Sequence, residues 1–178
     1  MNPSIRCLIL ASTLAALAQA GNDLSSFGEG APARRQALAA LEGKPAPALQ
    51  VVNWVNSTPL SLAELKGKIV VLDFWGVWCG PCIASIPHNN ELAAKYRDAG
   101  VIFVGVCHPR DVEKMEATVK EKGLKYATAQ DPASATIKAY KVDSYPDYYL
   151  IDRQGILRVA DCANNKVEAA IKQLLAEK

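Results

Sequence analysis

The sequence predicts an α/β fold, a three-layer α/β/α sandwich around a mixed sheet, and three observations carry that expectation. Two runs rich in β-branched and aromatic residues, "KIVVLDFW" and "VIFVGV", are nearly continuous in apolarity, the pattern of strands buried on both faces. Between them, "PCIASIPHNNELAAKYRDAG" places Ile83, Ile86, Leu92, Ala93 and Tyr96 at helical intervals, so strand, helix and strand make a parallel βαβ unit with a right-handed crossover. Near the end, "DYYLID" and "ILRVAD" flank a turn, "RQG", and lead into an amphipathic helix, which adds a hairpin and a closing helix.

In chain order, the first twenty residues, "MNPSIRCLILASTLAALAQA", carry one positive charge at Arg6, an apolar run from about Cys7 to Ala18, and Ala18-Gln19-Ala20. This is the pattern of a secretory signal peptide cut before Gly21. The run is shorter than the roughly 20 residues that span a bilayer, so no stable membrane insertion is expected after cleavage. Residues 21 to 42 mix Gly, Ser, Pro and charge and read as a flexible leader, with "ARRQALAALEG" adding a short helix ended by Gly43. The domain is expected over 43 to 178. It opens with "PAPALQVVNWVNSTPLSL", two short strands around Asn56-Ser57 that would make an N-terminal β-hairpin. Ser61 and Glu64 suit a capping box for a helical turn stopping at Gly67. After the βαβ unit, whose helix should bend at Pro87, Asp111 is placed to cap a helix with Val112, Met115 and Val119 on one face, ending at Gly123. A short strand follows near Tyr126, Asp131-Pro132 should open a further helix, and Val167, Ala170, Ile171, Leu174 and Leu175 form the inner face of the last one.

Half of the 178 residues are apolar, and 20 basic residues face 18 acidic ones. That balance gives no electrostatic reason to expect nucleic acid or an anionic membrane surface as a partner. Cleavage of the signal peptide would remove Cys7 and leave Cys79, Cys82, Cys107 and Cys162. In an oxidising compartment such a chain is too large and too cysteine-poor to depend on a disulfide framework, so redox chemistry is the more natural use of one pair.

Cys79 falls where a buried strand ends and a helix begins. Unsatisfied helix N–H groups and the positive end of the helix dipole there favour thiolate over thiol, which marks Cys79 as the nucleophile. Cys82, three residues on, can reach back to attack a mixed disulfide formed at Cys79. Gly80 permits close approach, and Pro81 in the first turn costs no hydrogen bond. The alternatives are a structural disulfide, whose short loop would restrain the unfolded chain little, and a metal site, for which His88 and His108 have no ligand-like spacing.

"VLDFWGVWCGPC" resembles the thioredoxin active-site motif, and "GKPAPAL", "LSLAELKGK" and the extra helix and strand over residues 111 to 130 resemble the TlpA/ResA branch of the redoxin superfamily. The resemblance covers about residues 43 to 178. It implies a thioredoxin-like fold with a central helix-strand insertion, thiol-disulfide exchange without a cofactor, and export in bacteria. It also implies that Pro146 is a cis-proline facing the cysteines, that Tyr145 shapes the substrate groove, that Asp73 is a buried acid suited to take the Cys82 proton, and that Trp75 and Trp78 flank the motif, Trp78 as the contact. Three departures stand out: Ile83 replaces a basic residue, Ser85 stands where this branch often has a glutamate, and "VIFVGV" lacks the lysine that partners the thioredoxin aspartate. Cys107 and Cys162 end separate strands and are expected as buried free thiols.

The resulting expectation is an exported thiol-disulfide oxidoreductase of reducing poise, in the periplasm or cell exterior, acting on disulfides of other exported proteins with a membrane thiol transporter as electron donor. Two rivals are a peroxiredoxin-like peroxidase, whose T-x-x-C context is absent from the sequence, and a redox-inert binding module.

Overall fold

In the computed structural model, which describes residues 24–177, six strands form one sheet. They are β1 (Val52–Val55), β2 (Ile69–Trp75), β3 (Val101–Cys107), β4 (Ala127–Gln130), β5 (Asp147–Ile151) and β6 (Leu157–Cys162), in the order β1-β4-β3-β2-β5-β6. The helices are α1 (Pro32–Ala39), α2 (Gly80–Tyr96), α3 (Met115–Lys122), α4 (Ala135–Tyr140) and α5 (Val167–Ala176). The expected signal peptide lies outside the described residues.

β2 is central and every residue of it is buried. It runs parallel to β3 and antiparallel to β5, so the expected βαβ unit is formed through α2 and the sheet is mixed. The two faces of β2 carry two cores. Ile69, Val71 and Trp75 pack with Ile86 and Leu92 of α2 and with Ile171 and Leu174 of α5, while Val70, Leu72 and Phe74 pack with Leu38 of α1 and with Ile137 and Tyr140 of α4. Helices thus cover both faces, the three layers that the continuous apolarity of β2 and β3 required. Burying each such side chain stabilises the fold by about 1.5–3 kcal/mol. Pro87 lies inside α2, which runs through it to Tyr96.

The sequence expectations need correction at four places. No hairpin forms around Asn56-Ser57: β1 alone is a strand there, and it pairs antiparallel with β4. Asn56 adopts a left-handed φ of 65°, and its Nδ2 donates to the carbonyls of Leu124 at 2.8 Å and Tyr126 at 3.2 Å, which ties the turn to the segment leading into β4 rather than back onto β1. The described part of the leader is not a free tether. Leu24 and Leu38 are buried, Gly28 bridges Cys162, and Arg34 and Arg35 reach β6, so local Gly, Ser and Pro content concealed a segment held by long-range contacts. Asp111 does not cap its helix. It sits at a φ of 56°, binds Lys114 Nζ at 3.0 Å, and is followed by a 3-10 turn before α3. Pro132 precedes α4 rather than opening it, although the Asp131 carboxylate accepts from the Ala135 and Ile137 N–H groups, both at 2.9 Å. The Ser61–Glu64 capping box is present, with the Ser61 N–H donating to Glu64 Oε2 at 3.0 Å and the Glu64 N–H donating to Ser61 Oγ at 3.4 Å.

Candidate active site

β2 delivers the chain to the top of the sheet at Trp75, and a short turn then carries it into α2. A Cβ at Gly76 in that turn would lie 2.9 Å from the Trp78 indole nitrogen, so the half-exposed indole would have to shift to admit one. Cys79 is the N-cap of α2, with extended backbone, and its Sγ accepts from the Cys82 N–H at 3.2 Å. The sulfur therefore occupies the position a capping oxygen takes at an ordinary helix start, facing the unpaired N–H groups and the positive dipole end. Cys79 and Cys82 are joined as a disulfide and are 3% and 4% exposed. Pro81 sits in the first turn, where no N–H is needed, and nothing lies within 4 Å of where a Cβ on Gly80 would be, so that side of the pair is open. Ser85 turns its hydroxyl back to the Pro81 carbonyl at 3.0 Å.

Around this helix start stands a ring of aromatic side chains. Trp78, 39% exposed, meets Tyr145 and His108 edge-on, each at 5.6 Å between centroids, and His108 meets Tyr145 at 5.3 Å. The Arg110 guanidinium lies 5.2 Å from the Trp78 ring, and the Arg110 N–H donates to His108 Nδ1 at 3.0 Å, which leaves Nε2 as the protonated nitrogen of the neutral ring. Partial burial, then Arg110, hold the His108 pKa below its usual value, while burial pushes Tyr145 up to about 12. The Tyr145–Pro146 peptide bond is cis. His108 and Arg110 were not anticipated from the sequence; a histidine just past the end of a buried strand, level with the cysteine turn, was the available signal. Trp75 does not join this ring. It is buried and donates to Thr128 Oγ1 at 3.0 Å.

Asp73 lies beneath, on the β2 face shared by Val71 and Trp75. Its Oδ2 accepts from the Tyr126 hydroxyl at 2.5 Å and from Asn89 Nδ2 at 3.2 Å, and Asn89 Nδ2 also donates to the Tyr148 hydroxyl at 3.0 Å. Its Oδ1 is buried without a hydrogen-bond partner among the described residues. Burial pushes the Asp73 pKa up to about 6, against the hydrogen bonds from Tyr126 and Asn89 that favour the charged form. Cys82, Ile86 and Asn89 form one buried stripe of α2, so the helix that carries the second cysteine also delivers a ligand to the acid. A buried asparagine in that stripe was a signal the sequence contained. Gly105 stands opposite Asp73 in register, and a Cβ there would meet Thr128 Oγ1 at 2.4 Å, so the β3 position beside the acid admits no side chain in this packing.

Cys107 and Cys162 are free and buried, at the ends of β3 and β6 with β2 and β5 between them. At about 4.8 Å per strand they are far beyond disulfide reach. Burial pushes both thiols up to about 12. Among the described residues no group of three or more His, Cys, Asp or Glu side chains is arranged to hold a metal ion.

The chain is similar to known proteins both in sequence and in structure. The chain is 37% identical over 113 residues to the thiol-disulfide oxidoreductase ResA of Bacillus cereus, covering 64% of this chain and 65% of that protein. It is 33% identical over 136 residues to protein DipZ of Mycobacterium bovis, covering 70% of this chain and 20% of that one. The chain thus spans somewhat less than two thirds of the length of the ResA proteins it matches. Among solved structures, a Chlorobium tepidum protein assigned as a thiol:disulfide interchange protein DsbE superposes with a TM-score of 0.67 at 29% identity, covering 76% of this chain and 98% of its own. A thioredoxin-like superfamily protein, SPOA0173, superposes with a TM-score of 0.63 at 31% identity, covering 75% and 97%. These neighbours identify the sheet and its helices as a thioredoxin-like fold, and the match of residues 43–160 to the AhpC/TSA family, over more than half of its length, shows that the chain belongs to that family.

Proposed function

We propose that the protein is a thiol-disulfide oxidoreductase that reduces disulfides of other exported proteins through Cys79 and Cys82. The observation that carries this reading is the cysteine pair itself, seated at the N-terminus of α2 with Cys79 Sγ already accepting the Cys82 N–H. In the reduced protein the Cys79 thiolate attacks a substrate disulfide, forming a Cys79–substrate bond and releasing one substrate sulfur as thiolate. Cys82 then attacks Cys79 Sγ. Its proton passes to Asp73, the mixed disulfide breaks, the second substrate sulfur leaves, and the Cys79–Cys82 disulfide forms. The substrate gains two electrons and the protein loses two.

Each remaining part of the site has a role in this cycle. The open side of Gly80 and Pro81 admits the substrate backbone, and Trp78, Tyr145 and Pro146 form the groove wall that aligns its sulfur with Cys79. The poise is reducing, because Ile83 adds no positive charge to the Cys79 thiolate and a buried acid lies nearby, so the stabilisation that makes strong oxidants is missing. A membrane thiol transporter is the electron donor that such a reductant needs in an oxidising compartment. Export rests on the charge, apolar run and Ala18-Gln19-Ala20 of the first twenty residues.

Trapping tests the reading. Cys79→Ser should abolish disulfide reduction, whereas Cys82→Ser should accumulate a mixed disulfide with a substrate protein that dithiothreitol releases. Equal trapping by the two variants would overturn the assignment of the nucleophile.

A further inference from the structure

Two donors converge on one oxygen of Asp73 and leave the other bare. Tyr126 comes from the segment just before β4 and Asn89 from α2, and both donate to Oδ2. Tyr148, from β5, is hydrogen-bonded to Asn89 and fixes the amide from its far side. Three elements around β2 are therefore committed to holding a single carboxylate oxygen.

We infer that Tyr126, seconded by Asn89, is a positioning residue for disulfide exchange, binding Asp73 Oδ2 so that the proton leaving Cys82 is received at Oδ1. The inference rests on the reading of Asp73 as proton acceptor in the proposed function. Its chemistry follows from the geometry. When Oδ1 takes the proton, Oδ2 becomes the carbonyl oxygen of a neutral acid and still accepts from both donors. No side chain has to reorient during the transfer.

Neutral donors stand where a cation could have, for Asp73 makes no ion pair among the described residues. The titratable groups that interact with it are Tyr126, Tyr148 of β5 and Cys107 of β3. With no cation there, neutral hydrogen bonds are what hold the Asp73 charge within reach of neutral pH, and the Tyr126 bond is the shorter of the two.

The test is a titration with Tyr126→Phe, which keeps the ring that packs on Phe103 and removes only the hydroxyl. In the oxidised protein, where the cysteines cannot titrate, the Asp73 carboxyl carbon is followed by NMR. Loss of a hydrogen bond to the charged form should raise its midpoint by about one pH unit. The pH at which resolution of a preformed Cys79 mixed disulfide reaches half its maximal rate should rise with it, and Asn89→Ala should move both by less. A midpoint unmoved in Tyr126→Phe, with only stability lowered, would make Tyr126 structural and overturn the inference. If instead Asp73→Asn resolves the mixed disulfide as fast as wild type at every pH, the proton-acceptor reading itself fails, a distinct outcome.

Discussion

The two faces of the sheet each bury an aspartate at neighbouring positions, and they surround it in opposite ways. Asp73 of β2 stands opposite Tyr148 of β5, and the next pair in register is Phe74 with Asp147. Asp73, on the α2 side, is met only by neutral donors, and burial lifts its pKa to about 6. Asp147, on the α1 side, sits 3.6 Å from Arg34 and accepts from the Tyr149 hydroxyl at 3.3 Å, yet burial and then the charge of Asp161 push it to about 9. A nearby cation does not by itself lower a buried acid when it is shared. Arg34 also binds Asp161 at 2.9 Å and Asp143 at 3.2 Å, and donates to the Lys141 carbonyl. The first acid is raised by burial against the two neutral donors that favour its charged form. The second belongs to a clasp that holds the N-terminal segment on β5 and β6.

That contrast can be broken most directly at Arg34. Arg34→Ala leaves Asp161 buried without its cation, and unfolding in urea at pH 7 should show a loss of about 3 kcal/mol, with the resolving rate of the folded protein unchanged. A parallel loss of rate would mean that the two faces are coupled and the contrast is false. Next in size, Asp73→Asn should slow resolution of the mixed disulfide by about a hundredfold at pH 7 and abolish the rise in rate around pH 6, measured in single-turnover experiments. An unchanged rise would place the titrating group elsewhere.

The last prediction concerns stability against pH. An acid whose folded pKa is raised keeps a proton that the unfolded chain releases, so its stabilisation is complete below about pH 4 and is lost as pH rises towards the folded value. Both aspartates contribute to the decline from about pH 4 to 6, and of the two only Asp147 contributes from there to about 9. Asp147→Asn should therefore flatten the upper part of the decline, read from urea midpoints at pH 6.5 and 9. An equal decline in wild type and variant would assign it to another group.

The parts of the molecule legible in the sequence are those whose partners lie close along the chain or repeat with a period. β2, β3 and α2 declared themselves through unbroken apolarity and helical spacing, and W-C-G-P-C marked the turn between them. The Ser61–Glu64 box, three residues apart, was equally readable. What was missed depends on contacts across long separations. Asn56 reaches Leu124, Arg34 reaches Asp161, and Tyr126 reaches Asp73, and no local pattern announces any of these. The hairpin failed for that reason: Asn-Ser is a fair turn locally, but the Asn56 amide has its partners in the segment leading into β4.

By itself, then, the sequence determined that two cysteines stand together where a buried strand ends and a helix starts, because all of these lie within one short stretch, where covalent geometry already constrains them. Only the tertiary structure decided what surrounds the buried acid and what holds the N-terminal segment. Those outcomes turn on which polar groups lose water together. A group buried far from its chain neighbours must find its hydrogen-bond partner in whatever element the packing brings against it.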